Sequence, residues 1–198
     1  MKSVNIASNE VSQGYWKPSS KTKIILTLLY IIAWIIFVGL SIEAGSFITN
    51  AIFVLVKPEA VPYLWQQADL RDLLKYGHGY FFTQVGVIGV VSALKAILFY
   101  LIISILHNKQ VRIEQPFTDI AQRFILRIAS LALLIGLFSI LGASCAGWLS
   151  KNGVTMPDLE ALYLSGADVW IFMSIALFVV AYVFKKGIAL QTEQDLTV

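Results

Sequence analysis

Lys95 sits near the middle of an otherwise uncharged apolar stretch, residues 83–106, TQVGVIGVVSALKAILFYLIISIL. A lysine at the centre of a membrane helix costs about 2.5–3.5 kcal/mol on insertion scales, so it needs a reason to be there. One reading is structural: the side chain snorkels toward the nearer surface, or its ammonium bonds carbonyls freed where a helix breaks and hydroxyls such as those of Tyr100, Ser104 or Tyr182. The other is a buried site, with Lys95 as counter-ion for an anionic ligand or lipid headgroup, or as one half of a switchable pair. Lys95 and Tyr100 are the membrane-buried candidates. No carboxylate lies deep in the other apolar runs, so a permanent intramembrane salt bridge is not expected. Glu43, at the edge of the first run, is expected to pair with Lys57 or Lys75.

Other chemistry finds few players. The chain has no His-Glu-x-x-His zinc pattern, phosphate loop, glycine-rich dinucleotide turn or Gly-x-Ser-x-Gly elbow. Carboxylates occur only in polar segments, so no catalytic pair, metal set or cofactor is expected. Cys145 is the only cysteine, which excludes an internal disulfide and points to a small packing residue. The cationic groups Lys109, Arg112, Arg123, Arg127, Lys185 and Lys186 read first as orientation signals and second as a surface for anionic lipid.

The elements that must position Lys95 follow from composition. The 198 residues are 58% hydrophobic and 14% charged, against about a quarter charged in soluble domains. That balance implies an all-α membrane protein, one domain of four transmembrane helices and no second soluble domain. The net charge of +3 gives no reason to expect nucleic-acid binding. The spans are expected at about residues 24–43, 81–106, 124–149 and 167–185, after a mobile N-terminal stretch over residues 1–15. Between the first two spans, residues 47–56 are apolar but too short to cross. Residues 69–76, DLRDLLKY, are amphipathic, with Leu70, Leu73 and Leu74 on one face. Short amphipathic helices are therefore expected in the first outer loop. Gly86 and Gly89 with Ser92 and Ala93, and Gly136, Ser139, Gly142, Ala143 and Ala146, form two small-residue faces suited to close packing. Thr118 is placed to N-cap the third long helix. Residues 186–198 read as a short, mostly polar tail.

Ten of the fifteen Lys and Arg residues fall on the side of the two termini, four on the other, and Lys95 completes the set. The positive-inside bias then places both termini in the cytoplasm.

Three stretches carry a resemblance. SALKAILFYLI (residues 92–102), Pro116-Phe117-Thr118, and FKKGIALQTEQDLTV (residues 184–198) are similar to the lysine-bearing second helix, the start of the third helix and the ending of the bacterial membrane proteins grouped as domain of unknown function 2975. The spacing of four spans resembles that family over nearly the whole chain. The outer segment with Pro58-Glu59-Ala60 and Tyr63-Leu64 resembles its Bacteroidetes-like version. The resemblance brings no established activity. It implies a context, because members are often encoded beside a small helix-turn-helix regulator. That context implies a membrane protein that holds or releases such a regulator. The docking surface would be Lys185, Lys186, Glu193, Asp195, Leu196 and Val198, with the acidic pair facing a basic partner and the two apolar residues as anchors.

Two functional classes stand ahead of a third, a membrane enzyme acting on lipid, for which no nucleophile, acid pair or metal set is visible. The first is a non-enzymatic regulatory or interaction protein of the bacterial inner membrane. The second is a small transporter or channel subunit with Lys95 in an anion or proton path, which at four helices would need to form a homo-oligomer.

Overall fold

The computed structural model describes residues 20–56, 68–107 and 118–195. Five helices follow in chain order: α1 (Ser20–Val56), α2 (Arg71–Tyr76), α3 (His78–His107), α4 (Asp119–Lys151) and α5 (Ala167–Asp195). All but α2 are long and apolar enough to cross a membrane, so the chain is an all-α membrane protein with four candidate spans. Among the described residues there is no strand.

Two helices are longer than the sequence pattern suggested. The first was expected to end near residue 43, with residues 47–56 as a separate piece. Instead α1 is continuous for 37 residues. Nothing between Ser20 and Val56 breaks it: Glu43-Ala44-Gly45-Ser46 interrupts the hydropathy, not the backbone, and the first proline of this region is Pro58. Likewise α5 does not stop at Lys185 but continues to Asp195. After Gly187 the residues Ala189, Leu190, Gln191, Glu193 and Gln194 are good helix formers, and one glycine does not outweigh them. The expected amphipathic element is present as α2, with Leu73 and the preceding Leu70 fully buried. Thr118 caps α4 as expected, its Oγ1 accepting from the Ala121 N–H at 3.2 Å.

The long helices pack as a row: α1 against α3, α3 against α4, α4 against α5, with α2 resting on α3. The buried core gathers at the end that carries α2. Leu70, Leu73, Phe81, Ile88, Leu149 and Leu162 meet there with almost no exposure. Elsewhere the helices show long apolar faces, Ile24 to Ile42 on α1 and Val169 to Val183 on α5, as lipid-contacting surfaces do. We call the α2 end the capped end, and the end with His107, Asp119 and Lys185 the basic end.

Gly136 sets the stagger of α5. A Cβ there would lie 2.6 Å from Ile171 Cγ1 and 3.2 Å from the Ala167 oxygen, so the first turn of α5 touches the backbone of α4. Gly136 is fifteen residues before Lys151, hence α5 begins about 22 Å short of the α4 terminus. Residues 154–166 fill that length without regular helix. Val154, Leu162 and Leu164 bury their side chains, and Leu164 lies where a Cβ on Gly142 would be, 2.8 Å from its Cδ1. The segment closes its own backbone bonds, Leu162 N–H to the Asp158 oxygen, Tyr163 N–H to Glu160 and Leu164 N–H to Leu159. Such internal pairing lets irregular backbone pack against apolar helices.

The expectation for the small-residue faces holds on α4 and at Ser92 of α3, and fails at Gly86 and Gly89. Gly136 and Gly142 both receive a neighbour, whereas a Cβ on Gly86 or Gly89 would meet nothing within 4 Å. The packing face of α3 is instead the line of Gln84, Ile88 and Ser92.

Candidate functional site

Lys95 projects from α3 toward the capped end. Its Nζ donates to the main-chain oxygen of Tyr163 at 2.9 Å. The side chain is only partly exposed. One helical turn away Ser92, fully buried, donates its hydroxyl to Glu43 Oε1 at 2.8 Å. Glu43 belongs to α1 and is carried to this level because α1 runs on past it. The carboxylate lies within electrostatic reach of Lys95 without an ion-pair contact. Each charge is therefore held by a neutral partner, Glu43 by a hydroxyl and Lys95 by a carbonyl, with the opposite charge nearby.

Tyr163 presents its carbonyl through an uncommon backbone conformation. Its φ is 56°, the left-handed region, which costs a non-glycine residue roughly 1–2 kcal/mol. The ring helps hold the residue there by packing edge-on against Phe47 of α1, with centroids 6.0 Å apart at 83°. Three residues later Gly166, φ 75°, turns the chain into α5, whose Trp170 N–H bonds the Gly166 oxygen. The site thus joins α1, α3 and the segment leading into α5.

Of the expected partners, a freed carbonyl is used, while the tyrosine hydroxyls are elsewhere. Tyr100 is more than half exposed and tilts against Phe37, centroids 6.1 Å apart. Tyr182 lies on the exposed face of α5 beneath Lys186, whose Nζ is 6.0 Å from the ring centroid. Glu43 does not pair with Lys75, which contacts Asp72 at 3.5 Å instead; Lys57 lies outside the described residues. The sequence gives Ser92 a packing role only, on a small-residue face, and Tyr163 none. A serine in an apolar run was a weak signal, and a main-chain acceptor leaves no mark on residue type. Glu43 lies inside α1 and not at its end, because the helix continues past the edge of its hydropathy.

The proposed docking residues extend the basic end. Lys185 and Lys186 are exposed on α5, and Glu193 is exposed on its last turns. Asp195 ends the helix, while Leu196 and Val198 lie outside the described residues. Lys185 is eighteen residues along α5 from Ala167. Asp119 is seventeen residues along α4 from Gly136, so the two come level and the last ten residues of α5 project about 15 Å beyond the start of α4. Among the described residues no three His, Cys, Asp or Glu side chains converge to hold a metal ion.

A row of four membrane-length helices with a charged residue on an inner face and one helix running past the others defines a multi-pass membrane protein. The chain belongs to the family described as protein of unknown function (DUF2975), whose model matches residues 56–198. No curated protein and no solved structure matches it.

Proposed function

We propose that this protein is a non-enzymatic regulator of the bacterial inner membrane, with both termini in the cytoplasm, that docks a small helix-turn-helix transcription regulator. The observation that carries this reading is the continuity of α5. The helix begins four residues after the carbonyl that holds Lys95 and continues ten residues beyond Lys185. A rearrangement at Tyr163 has a rigid path to the exposed basic end. The orientation rests on the excess of Lys and Arg on that side. Lys185 and Lys186 would meet acidic groups of the partner, Glu193 and Asp195 its basic groups, and Leu196 and Val198 would anchor in apolar pockets. Deleting residues 193–198 tests this: the protein should remain membrane-inserted while transcription of its own operon changes. Unchanged transcription would remove the docking role of the tail.

A second reading, a transport subunit with Lys95 in an anion or proton path, draws on the buried polar groups Gln84, Ser92 and Ser139. Glu43 beside Lys95 offsets the charge an anion would seek, which ranks an anion path below the regulatory role. Gly86 and Gly89, open on α3, would be where a second copy packs in such an oligomer.

A further inference from the structure

Helices α4 and α5 disagree about where the bilayer ends on the capped side. Ala167, the first residue of α5, lies level with Gly136 of α4, because a Cβ on Gly136 would be 3.2 Å from the Ala167 oxygen. Trp148 is twelve residues beyond Gly136 toward the capped end, about 18 Å away along the axis. It is about half exposed and stacks on Tyr80, with ring centroids 5.6 Å apart, a pair suited to the headgroup layer. Asp168, the second residue of α5, is exposed at the lower level. One leaflet of hydrocarbon is about 15 Å thick, so a bilayer that reaches Trp148 surrounds that carboxylate with lipid.

The structure provides a way down. A groove of about 690 Å³ runs between the two helices beside the segment that joins them. Its apolar walls include Ile140 on α4 and Phe172 and Ile175 on α5, and Ser144, Ser165 and Asp168 add polar groups. All three polar residues are exposed, and among the described residues none of them has a side-chain hydrogen bond or ion pair. Ser144 is eight residues beyond Gly136, about 12 Å above Asp168. The hydroxyls therefore step from just below Trp148 down to the carboxylate. Phe172 and Ile175, four and seven residues after Asp168, continue the same face of α5 as an exposed apolar stripe.

A carboxylate that faces lipid calls for a cation with hydrogens to donate. A second copy of the chain does not offer one. Val87 of α3 packs against Gly142, which brings Lys95 near the level of Gly136, and its ammonium is already bonded to Tyr163. The lipid itself can supply the cation. We propose that the α4–α5 groove is a binding site for a phospholipid with a primary ammonium headgroup. The ammonium donates to Asp168, the Ser144 and Ser165 hydroxyls donate to the phosphate, and one acyl chain lies along Phe172 and Ile175. An anionic lipid would bring its phosphate beside Asp168 with no cation between them, so the site selects by headgroup.

Native mass spectrometry of the full chain tests the site, with the protein released from nanodiscs of equimolar phosphatidylethanolamine and phosphatidylglycerol of matched chains. The chain should retain one phosphatidylethanolamine, favoured over phosphatidylglycerol by at least about five-fold. Asp168→Asn should bring the retained lipids to the ratio of the bilayer. Glu160→Gln, at an exposed acid outside the groove, should leave the preference intact. Retention by the native chain at or below the bilayer ratio, or a lipid-free dimer in its place, would overturn the proposal, and neither result needs a variant to fold. A preference that survives in folded Asp168→Asn would place the lipid elsewhere and overturn it as well.

Discussion

Lys95 and Tyr163 are 68 residues apart in sequence and joined by one hydrogen bond of 2.9 Å, from the ammonium of α3 to a main-chain oxygen in the segment that precedes α5. The bond holds an irregular segment against the helices and supplies a part-buried cation with an acceptor. Glu43 stands by as a second, charged acceptor already occupied by Ser92. A lysine with two alternative acceptors, one on α1 and one at the head of α5, links the ends of the helix row.

Replacing that lysine separates local from global stability. Lys95→Met removes a charge-assisted bond of about 1.5–3 kcal/mol and a cation that is costly in an apolar helix, but leaves the Tyr163 oxygen without its donor and Glu43 without its nearby countercharge. The expected result is an inserted protein whose loss is concentrated in the segment that Lys95 holds. Amide hydrogen exchange across residues 158–166 should rise at least about ten-fold. Exchange in this segment equal to that of the parent would show that Lys95 does not hold it.

Glycines on the two helices should respond in opposite directions. Gly136→Val forces side-chain atoms into Ile171 and the backbone of α5 and should cost about 1–3 kcal/mol, read as a lower melting temperature in detergent. Gly89→Ala meets nothing within 4 Å and should be neutral or stabilising by up to about 1 kcal/mol from helix propensity. A comparable loss at both positions would contradict the packing described for α3.

Outside the spans, Asp69 and Arg71 make a bidentate ion pair at the entrance to α2. The Arg71 side-chain hydrogen bonds, with its backbone N–H bond, hold the Asp69 carboxyl down at about 2 against an ordinary 3.8. A carboxylate depressed in the folded state stabilises it above the ordinary value, and the contribution is lost as pH falls from 3.8 toward 2. Both side chains are about half exposed, so the effect on stability is small. Carboxyl-carbon NMR should place the Asp69 titration near 2 and move it up toward 3.8 in Arg71→Gln, which keeps the backbone N–H bond. A native titration already near 3.8 would exclude the pairing.

The number of long helices, the Thr118 cap, the amphipathic α2 and the close contact at Gly136 and Gly142 were legible in the sequence, because apolar periodicity, cap chemistry and small residues act locally. The ends of α1 and α5 were not. Hydropathy marks where lipid ends, whereas helix termini follow backbone breakers, and Glu43 and Lys185 change the first without supplying the second. Lys95 stood out as a candidate because of its charge. A freed main-chain carbonyl is among its expected acceptors, but which one is not legible, because a tyrosine's main-chain oxygen carries no residue-type signal and the left-handed turn at Tyr163 has no glycine to announce it.

The Lys95-to-tail account meets its most direct test in mild-detergent co-purification from the native host. Three proteins are compared: the full chain, the deletion of residues 193–198, and Lys95→Met, each with mass spectrometry of what is retained. The full chain should retain a small helix-turn-helix protein. The deletion should lose it, and Lys95→Met should change the amount retained by several-fold although the tail is intact. Equal recovery from all three, or no such protein on the full chain, would contradict it.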